Sequence, residues 1–379
     1  MSENNLLINE FVLYLTIGGY RLMKRIVLDK TNSKIVGRSL LLGENRWLAL
    51  SGAGVTFLFQ GSYLKITMLG SNRANITEND REYARFAVLV DGARVLDDVM
   101  DCPKKSYEIL REEKVKSCEV QIVKLSEAPM SAMGIAPIEC DEEAVISPIA
   151  PKKHSIEFIG DSITCGYGVD ETLAEDHVFS TKTEDVTKAY AYKTAKLLDA
   201  DYSMFACSGY GIISGYTGDP EVRTEDELLP PYYETQCFSR DDFGEAGKPD
   251  KLPWDFSEYQ PEAVVINLGT NDFSFCQDTE WKREEYRQKY VEFIKVVRKN
   301  NPKAYIFAVL GLMGDGLYEK LCQAVADYRE HTGDIRIAAV HIPEQNPEDG
   351  YAVDWHPLPK SHTMAAEVVA RVVRETLGW

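Results

Sequence analysis

Residues 155–168 read SIEFIGDSITCGYG, a short apolar run that passes directly into a glycine-rich turn carrying Ser162. A short and nearly continuous apolar run is typical of a strand that is covered on both faces of its sheet. Ser162 would then lie just beyond the carboxyl end of the strand, at the edge where parallel sheets bind ligands. On its spacing alone the turn is better explained as an ordinary helix cap, because serine and aspartate are common at caps.

The second half of the chain alternates such runs with segments of helical periodicity. The predicted strands are 155–159, 202–206, 263–268, 304–310 and 335–341, and the predicted helices are 187–198, 280–300, 317–330 and 361–377. Because strand alternates with helix, the pattern predicts a parallel, three-layer α/β domain. The connection 209–261 is too long for a simple crossover, and its aromatic residues indicate an ordered wall.

The first half of the chain has the two-residue periodicity of β-strands. Apolar and polar residues alternate between about residues 35 and 125, as at 55–59 and 64–68, and Asp91-Gly92 joins two such runs in the manner of a tight hairpin turn. No strong helical pattern intervenes, so this half is predicted to be a β-sandwich. The proline-flanked segment 148–151 is the predicted boundary. The predicted organisation is therefore an extension (1–34), a β-sandwich domain (35–150) and an α/β domain (151–379).

The net charge and the cysteine content narrow the expected partners and the expected cellular location. The 379 residues carry a formal net charge of −18, which repels phosphate backbones and anionic lipid, so neither nucleic acid nor a membrane surface is an expected partner. The apolar stretch 6–23 is interrupted by polar residues and a Gly-Gly pair, and it is predicted to be neither a signal peptide nor a membrane span. The eight cysteines have no metal-ligand spacing, and we expect reduced thiols in a cytoplasmic protein.

Two more polar, glycine-containing segments follow predicted strands at the same edge of the sheet. They are the clusters 207–211 and 269–272. The Gly209 N–H and the Asn271 side-chain amide are suitable donors for the oxygen of a tetrahedral intermediate. Taken singly, each cluster is equally well explained as a turn or a helix cap.

A histidine near the C-terminus supplies a candidate base. His356 lies in the segment Asp354-Trp355-His356-Pro357, whereas the other five histidines lack a partner motif. A serine, a histidine and a nearby carboxylate, widely separated in sequence, are what nucleophilic acyl transfer requires.

In chain order, these clusters resemble the SGNH (GDSL-like) hydrolase superfamily. A narrower resemblance, to carbohydrate esterase family 2, covers the chain from about residue 35 to the C-terminus. It rests on a preceding β-sandwich and on four runs: GDSITCGYG (160–168), LPPYYE (229–234), WDFSEYQPEAVVINLGTND (254–272) and DWHP (354–357).

The resemblance implies both a fold and an activity. The implied fold is a three-layer, flavodoxin-like α/β/α hydrolase domain preceded by a jelly-roll-like β-sandwich. The implied activity is that of a serine esterase that removes O-acetyl groups from plant-derived manno-, gluco- or xylo-oligosaccharides through an acetyl-serine intermediate. Neither a metal nor an organic cofactor is implied.

The resemblance also implies roles for individual residues. Ser162 is the nucleophile and His356 the general base, and the oxyanion hole consists of the Ser162 N–H, the Gly209 N–H and the Asn271 side chain. Asp354 precedes the histidine by two residues, whereas the superfamily usually places its aspartate three before, and some family members orient the histidine with a backbone carbonyl. We predict a triad completed by Asp354, because a two-residue offset in an extended segment points both side chains to one side.

Three aromatic residues are predicted to contact the sugar, namely Trp355, Tyr210 and Trp254. Two other functions remain open. A non-catalytic carbohydrate-binding protein is one, and a lipid esterase or thioesterase that uses the same serine machinery is the other.

Overall fold

The computed structural model describes residues 11–16, 19–75, 80–173 and 177–379. The described residues of the first part of the chain form mainly β-strands. Its twelve described strands are connected through one branched hydrogen-bond network. They are β1 (Phe11–Thr16), β2 (Gly19–Ile26), β3 (Lys34–Val36), β4 (Leu40–Leu42), β5 (Asn45–Leu48), β6 (Gly54–Gly70), β7 (Arg85–Val90), β8 (Ala93–Val99), β9 (Lys104–Lys124), β10 (Met133–Ile135), β11 (Ile138–Asp141) and β12 (Val145–Pro148).

Strand β6 organises this part of the chain, because it pairs with β9 along most of its length and also with β3, β10, β11 and β12. The two alternating runs predicted within it form one continuous strand. Odd-numbered residues are buried up to Phe59 and even-numbered ones from Leu64 onward. The register shifts between Gly61 and Tyr63. An irregularity of this kind exchanges the two faces of a strand, so both runs bury their apolar residues in the same core.

The hairpin predicted at Asp91-Gly92 is confirmed, since β7 and β8 flank these two residues. Both residues have positive φ, 50° and 79°, as a two-residue hairpin turn of this type requires. The predicted extension 1–34 is different in the structure. Strands β1 and β2 pair with each other, and β2 also pairs with β11, so residues 11–16 and 19–26 belong to the β domain. Residues 1–10 and 17–18 of the predicted extension lie outside the described residues.

The second part of the chain is an α/β domain with a five-stranded parallel sheet in the order β14-β13-β15-β16-β17. The strands are β13 (His154–Gly160), β14 (Ala200–Ala206), β15 (Ala263–Asn267), β16 (Tyr305–Gly311) and β17 (Ile337–Ile342). The helices are α1 (Ser162–Cys165), α2 (Tyr190–Leu197), α3 (Thr270–Cys276), α4 (Glu280–Asn300), α5 (Tyr318–Thr332) and α6 (Pro359–Leu377). The strand order is that of flavodoxin-like folds. All five predicted strands and all four predicted helices are confirmed.

Helices cover both faces of this sheet. Along β13, Phe158 packs in one core cluster with residues of α2 and α6, and Ile159 packs in a second cluster with residues of α4 and α5. Because neighbouring residues of a strand point to opposite faces, the two clusters are the two sides of a three-layer domain. Among the residues that the structure describes, no helix combines the length and the apolar composition that a membrane span requires.

A buried arginine joins the two parts of the chain. Arg38, in the segment after β3, is 1% exposed and donates to the backbone oxygens of Tyr233 and Thr235, both at 2.6 Å. It also pairs with Glu157 of β13 at 3.3 Å, and its guanidinium lies 4.3 Å from the centroid of the Phe205 ring. A planar guanidinium suits such a site, because it stacks on aromatic faces while its N–H groups reach several acceptors. The long connection 209–261 is therefore fixed against the β domain.

Candidate active site

Ser162 is positioned by a tight turn between β13 and α1. Asp161 caps the helix, since its Oδ1 accepts from the Ile163 N–H at 3.0 Å. A Cβ atom at Gly160 would lie 2.1 Å from Thr164 Oγ1, so only glycine permits this close return of the chain. The turn is the helix cap expected from spacing alone, and it also places Ser162 at the carboxyl edge of the sheet.

His356 lies against the serine. Its Nε2 is 2.8 Å from Ser162 Oγ, and its Nδ1 is 3.0 Å from the backbone oxygen of Val353. A carbonyl oxygen only accepts, so Nδ1 carries the hydrogen and Nε2 offers its lone pair to the serine hydroxyl. This is the tautomer that a general base toward Ser162 requires.

The predicted bond between Asp354 and the histidine is not the one in the structure. Asp354 Oδ2 accepts from the Tyr167 hydroxyl at 2.8 Å, while the Val353 carbonyl is the partner of His356 Nδ1. The prediction assumed an extended segment, but 353–355 forms a 3₁₀ turn in which Asp354 and Trp355 have φ of 48° and 59°. Two consecutive left-handed residues redirect the carboxylate. The backbone-carbonyl alternative describes the observed geometry.

Asp354 remains linked to the histidine through Tyr167. The Tyr167 ring lies beside the imidazole, with 4.4 Å between ring centroids and a tilt of 34°. Burial lowers the pKa of His356 to about 4, although the hydrogen bond to Val353 and the nearby Asp354 charge act in the opposite direction. The imidazole is therefore neutral at pH 7, as a base must be before the reaction.

The other two strand ends carry the residues that were predicted to donate to an oxyanion, Gly209 and Asn271. Gly209 has φ of 82°, and its N–H has no acceptor among the described residues. Asn271 lies in the first turn of α3 and donates through Nδ2 to the Tyr210 carbonyl at 2.9 Å. The second contact of Nδ2, with Asp161 Oδ2, is 3.4 Å long, which leaves that hydrogen available to a stronger acceptor.

Two buried carboxyl groups tie the three strand ends together. Asp272 accepts from the N–H groups of Ile212 and Ile213 and thereby folds the loop that follows Gly209. Burial is the largest cause of the raised pKa values of these two groups. It raises the pKa of Asp272 to about 6 and that of Asp161 to about 7. The carboxyl groups of Asp161 and Asp272 thus hold the loops in place, and among the hydrogen bonds of the described residues they make none to Ser162 Oγ or His356.

The predicted sugar contacts have different surroundings. Trp355, beside His356, is 62% exposed and presents an open aromatic face. Tyr210 is only 4% exposed and packs against Tyr232 and Phe238, so its ring is covered, and its carbonyl accepts from Asn271. Trp254 faces the Arg38 guanidinium at the junction of the two domains, which is a packing position. Neither Tyr210 nor Trp254 therefore presents the platform that was predicted.

A further exposed aromatic residue, Tyr216, lies at this edge and was not among the predicted sugar contacts. Tyr216 donates its N–H to the Gly209 carbonyl at 2.8 Å, and the residue is 63% exposed. The sequence signal for this residue was an aromatic side chain seven positions after Gly209, but only the fold of the loop brings it back to Gly209. Within the described ranges, no group of three or more His, Cys, Asp or Glu side chains is arranged to hold a metal ion.

The chain matches two protein families over most of its length. Residues 158–364 match the GDSL-like lipase/acylhydrolase family, and residues 35–149 match the carbohydrate esterase 2 N-terminal domain. Among curated proteins, the cellulase/esterase CelE of Acetivibrio thermocellus is 30% identical over 85% of the chain, and the chain spans only 38% of the length of that relative. An acetylxylan esterase/glucomannan deacetylase of Cellvibrio japonicus is 25% identical, over 86% of both chains.

Two solved structures extend these similarities to the whole fold. A family two carbohydrate esterase from Clostridium thermocellum in complex with cellohexaose has a TM-score of 0.76 and 28% identity, covering 92% of this chain and 99% of that one. The acetyl xylan esterase Est2A from Butyrivibrio proteoclasticus has a TM-score of 0.81 at 24% identity, covering 94% of this chain and 98% of that one.

Proposed function

Because the chain belongs to the GDSL-like lipase/acylhydrolase family and carries the carbohydrate esterase 2 N-terminal domain, we propose that it is a serine esterase that deacetylates oligosaccharides. Its substrates are acetylated manno-, gluco- or xylo-oligosaccharides. The observation that carries the proposal is the 2.8 Å contact between Ser162 Oγ and His356 Nε2, together with the Val353 carbonyl that sets the tautomer. A sugar-binding protein without activity has no need of this arrangement.

In the proposed reaction, Ser162 Oγ attacks the acetyl carbonyl carbon while His356 Nε2 takes the hydroxyl proton. The carbonyl oxygen becomes an oxyanion that faces the N–H groups of Ser162 and Gly209 and the amide of Asn271. Collapse of the tetrahedral intermediate releases the sugar alkoxide, which receives the proton from His356, and leaves acetyl-serine. Water, activated by the same histidine, then releases acetate and regenerates the serine.

Two observations favour carbohydrate over lipid as the leaving group. Relatives along most of this chain are named for acetylxylan and glucomannan, and a structural relative was solved with cellohexaose. Two exposed aromatic residues, Trp355 next to His356 in the chain and Tyr216 bonded through its backbone to Gly209, offer faces that suit stacking on pyranose rings.

The test is acetate release from a mixed pool of acetylated manno-, gluco- and xylo-oligosaccharides, followed by mass spectrometry. We expect wild-type protein to remove acetyl groups and Ser162→Ala to remove none while retaining its fold. Hydrolysis of 4-nitrophenyl acetate, butyrate and octanoate should fall steeply with chain length. Sugar binding without acetate release would indicate the non-catalytic alternative, and a preference for octanoate would indicate a lipid esterase.

We also propose that the protein works in the cytoplasm, on short imported oligosaccharides. The support is chemical, since all eight cysteines are free and six of them are buried, as expected of reduced thiols. Fractionation of the native host, with immunodetection of the chain, tests this proposal. Recovery from the culture medium would contradict it.

A further inference from the structure

We propose that Glu127, contributed by the β domain, is a positioning residue for the oxyanion donor at Gly209; this inference rests on the proposed esterase function. Glu127 Oε2 accepts from the Ser208 N–H at 2.8 Å. On its other side, the Gly209 carbonyl accepts from the Tyr216 N–H at 2.8 Å. The Gly209 N–H lies between these two anchors, so together they fix the direction in which it points.

Glu127 is itself held at several points, which an anchor requires. The residue is completely buried, and its backbone N–H donates to Glu184 Oε2 at 3.0 Å. Its backbone oxygen accepts from Lys124 Nζ at 2.9 Å, and the same ammonium donates to the Ser126 carbonyl at 2.7 Å. Lys124 and Glu184 are also fully buried. The carboxylate therefore reaches the strand-end loop from a rigid base.

The charges of this cluster balance if the two carboxyl groups share one proton. Within the described residues, Glu127 Oε1 and Glu184 Oε1 are both buried without a donor, and a proton between the two side chains would satisfy them together. Burial, followed by the neighbouring Glu127 charge, raises the pKa of Glu184 well above its usual range. Glu184 then carries the shared proton, and the Lys124 ammonium balances the single negative charge that remains in the cluster.

A second buried glutamate at the junction of the two domains provides a matched control. Glu157 pairs with Arg38 of the β domain and accepts from the Tyr233 hydroxyl at 2.6 Å. Its carboxylate, like that of Glu127, links the two domains, but it makes no contact with the segment 207–209 among the contacts described for it. Loss of either glutamate should therefore destabilise the junction, and only loss of Glu127 should affect Gly209.

The experiment compares Glu127→Ala, Glu127→Gln and Glu157→Ala in the full chain. For deacetylation we expect Glu127→Ala to lower kcat at least about tenfold, toward the 10²–10³-fold loss of an oxyanion donor, with little change in KM. Glu127→Gln keeps an acceptor oxygen for Ser208 and should restore most of kcat. Glu157→Ala should lower Tm and leave kcat close to that of the wild type. Amide hydrogen exchange at Ser208 and Gly209 should accelerate in Glu127→Ala only.

Equal kcat losses in the two alanine variants, or an effect of Glu127→Ala on KM alone, would overturn the proposal. If Glu127→Ala does not fold, exchange in the wild-type protein decides, because a Ser208 amide that exchanges as fast as an exposed loop amide is not anchored. If the wild type hydrolyses no acetyl ester, the proposed function fails. The exchange measurements then still show whether Glu127 holds the loop.

Discussion

At His356, a backbone carbonyl takes the position that an aspartate occupies in a serine protease triad. The Val353 oxygen fixes the tautomer, but it carries no full charge to stabilise the imidazolium that forms during attack. The Asp354 carboxylate is close enough to raise the pKa of His356 without a direct bond. We therefore expect Asp354 to influence the histidine only at long range and through the Tyr167 hydroxyl.

Asp354→Asn should accordingly be a mild variant. We expect kcat/KM to fall less than about tenfold, or about 1.4 kcal/mol, because the histidine keeps its Nδ1 partner. Asparagine also tolerates the left-handed backbone at this position and still accepts from Tyr167. Steady-state kinetics would check this, with Tyr167→Phe as the companion variant that removes the donor. A loss of kcat/KM approaching 10⁴-fold would contradict this expectation and indicate that Asp354 completes a catalytic triad.

The lowered pKa of His356 predicts the pH dependence of hydrolysis. In the proposed reaction the histidine acts as a neutral base, so we expect activity above its pKa and a loss of activity as pH falls through it. With burial lowering this pKa to about 4, kcat/KM should stay nearly constant from about pH 8 to 6 and fall below about pH 5. Asp161 and Asp272 titrate near pH 7 and 6, but on protonation they keep oxygens that accept from backbone N–H groups. An acid limb at pH 6.5 or above, with the fold intact by circular dichroism, would contradict this prediction.

At the scale of elements, the periodicity of the sequence predicts the strands and long helices, because their positions depend on local burial. It does not predict the path of a loop that depends on contacts with residues distant in the chain. The five strands of the α/β domain are short apolar runs, and each is found where its run lies. The one-turn helix α1 and the 3₁₀ turn at 353–355 have no periodicity to reveal them. The loop after Gly209 is folded by Asp272, about 60 positions later, so neither its path nor the place of Tyr216 could be read from the loop's own residues.

The turn between β13 and α1 should not tolerate a side chain at Gly160. In Gly160→Ala the new Cβ would lie 2.1 Å from Thr164 Oγ1 and 3.2 Å from the Asn267 oxygen, so α1 must shift. We expect a loss of about 1–3 kcal/mol in the free energy of unfolding and a fall in kcat of more than about tenfold, because Ser162 moves with α1. Thermal unfolding and kinetics measure both. Gly218→Ala is the control, since nothing lies within 4 Å of its added Cβ; wild-type kinetics in both variants would show that the turn tolerates a side chain.

At the scale of the whole molecule, the two domains should unfold together. Arg38 loses its carbonyl and carboxylate partners if the domains separate, and Glu157 is left buried without its cation. We therefore expect one calorimetric transition for the full chain, and an insoluble or inactive Pro151–Trp379 fragment. Limited proteolysis is the independent check. Release of two folded halves, with the second half fully active, would show that the junction is dispensable.

The bonds that cross from Arg38 and Glu127 into the α/β domain also limit how such proteins can be recombined. A crossover at 148–151 cuts a short linker, but it leaves Arg38 facing whichever carbonyls the new partner presents in place of those of Tyr233 and Thr235. Glu127 would likewise meet an unrelated loop in place of Ser208. Chimeras of distant relatives should therefore retain activity only when the arginine, the glutamate and the loops that they bind come from the same parent. The two domains must therefore be exchanged together, although each has a fold of its own.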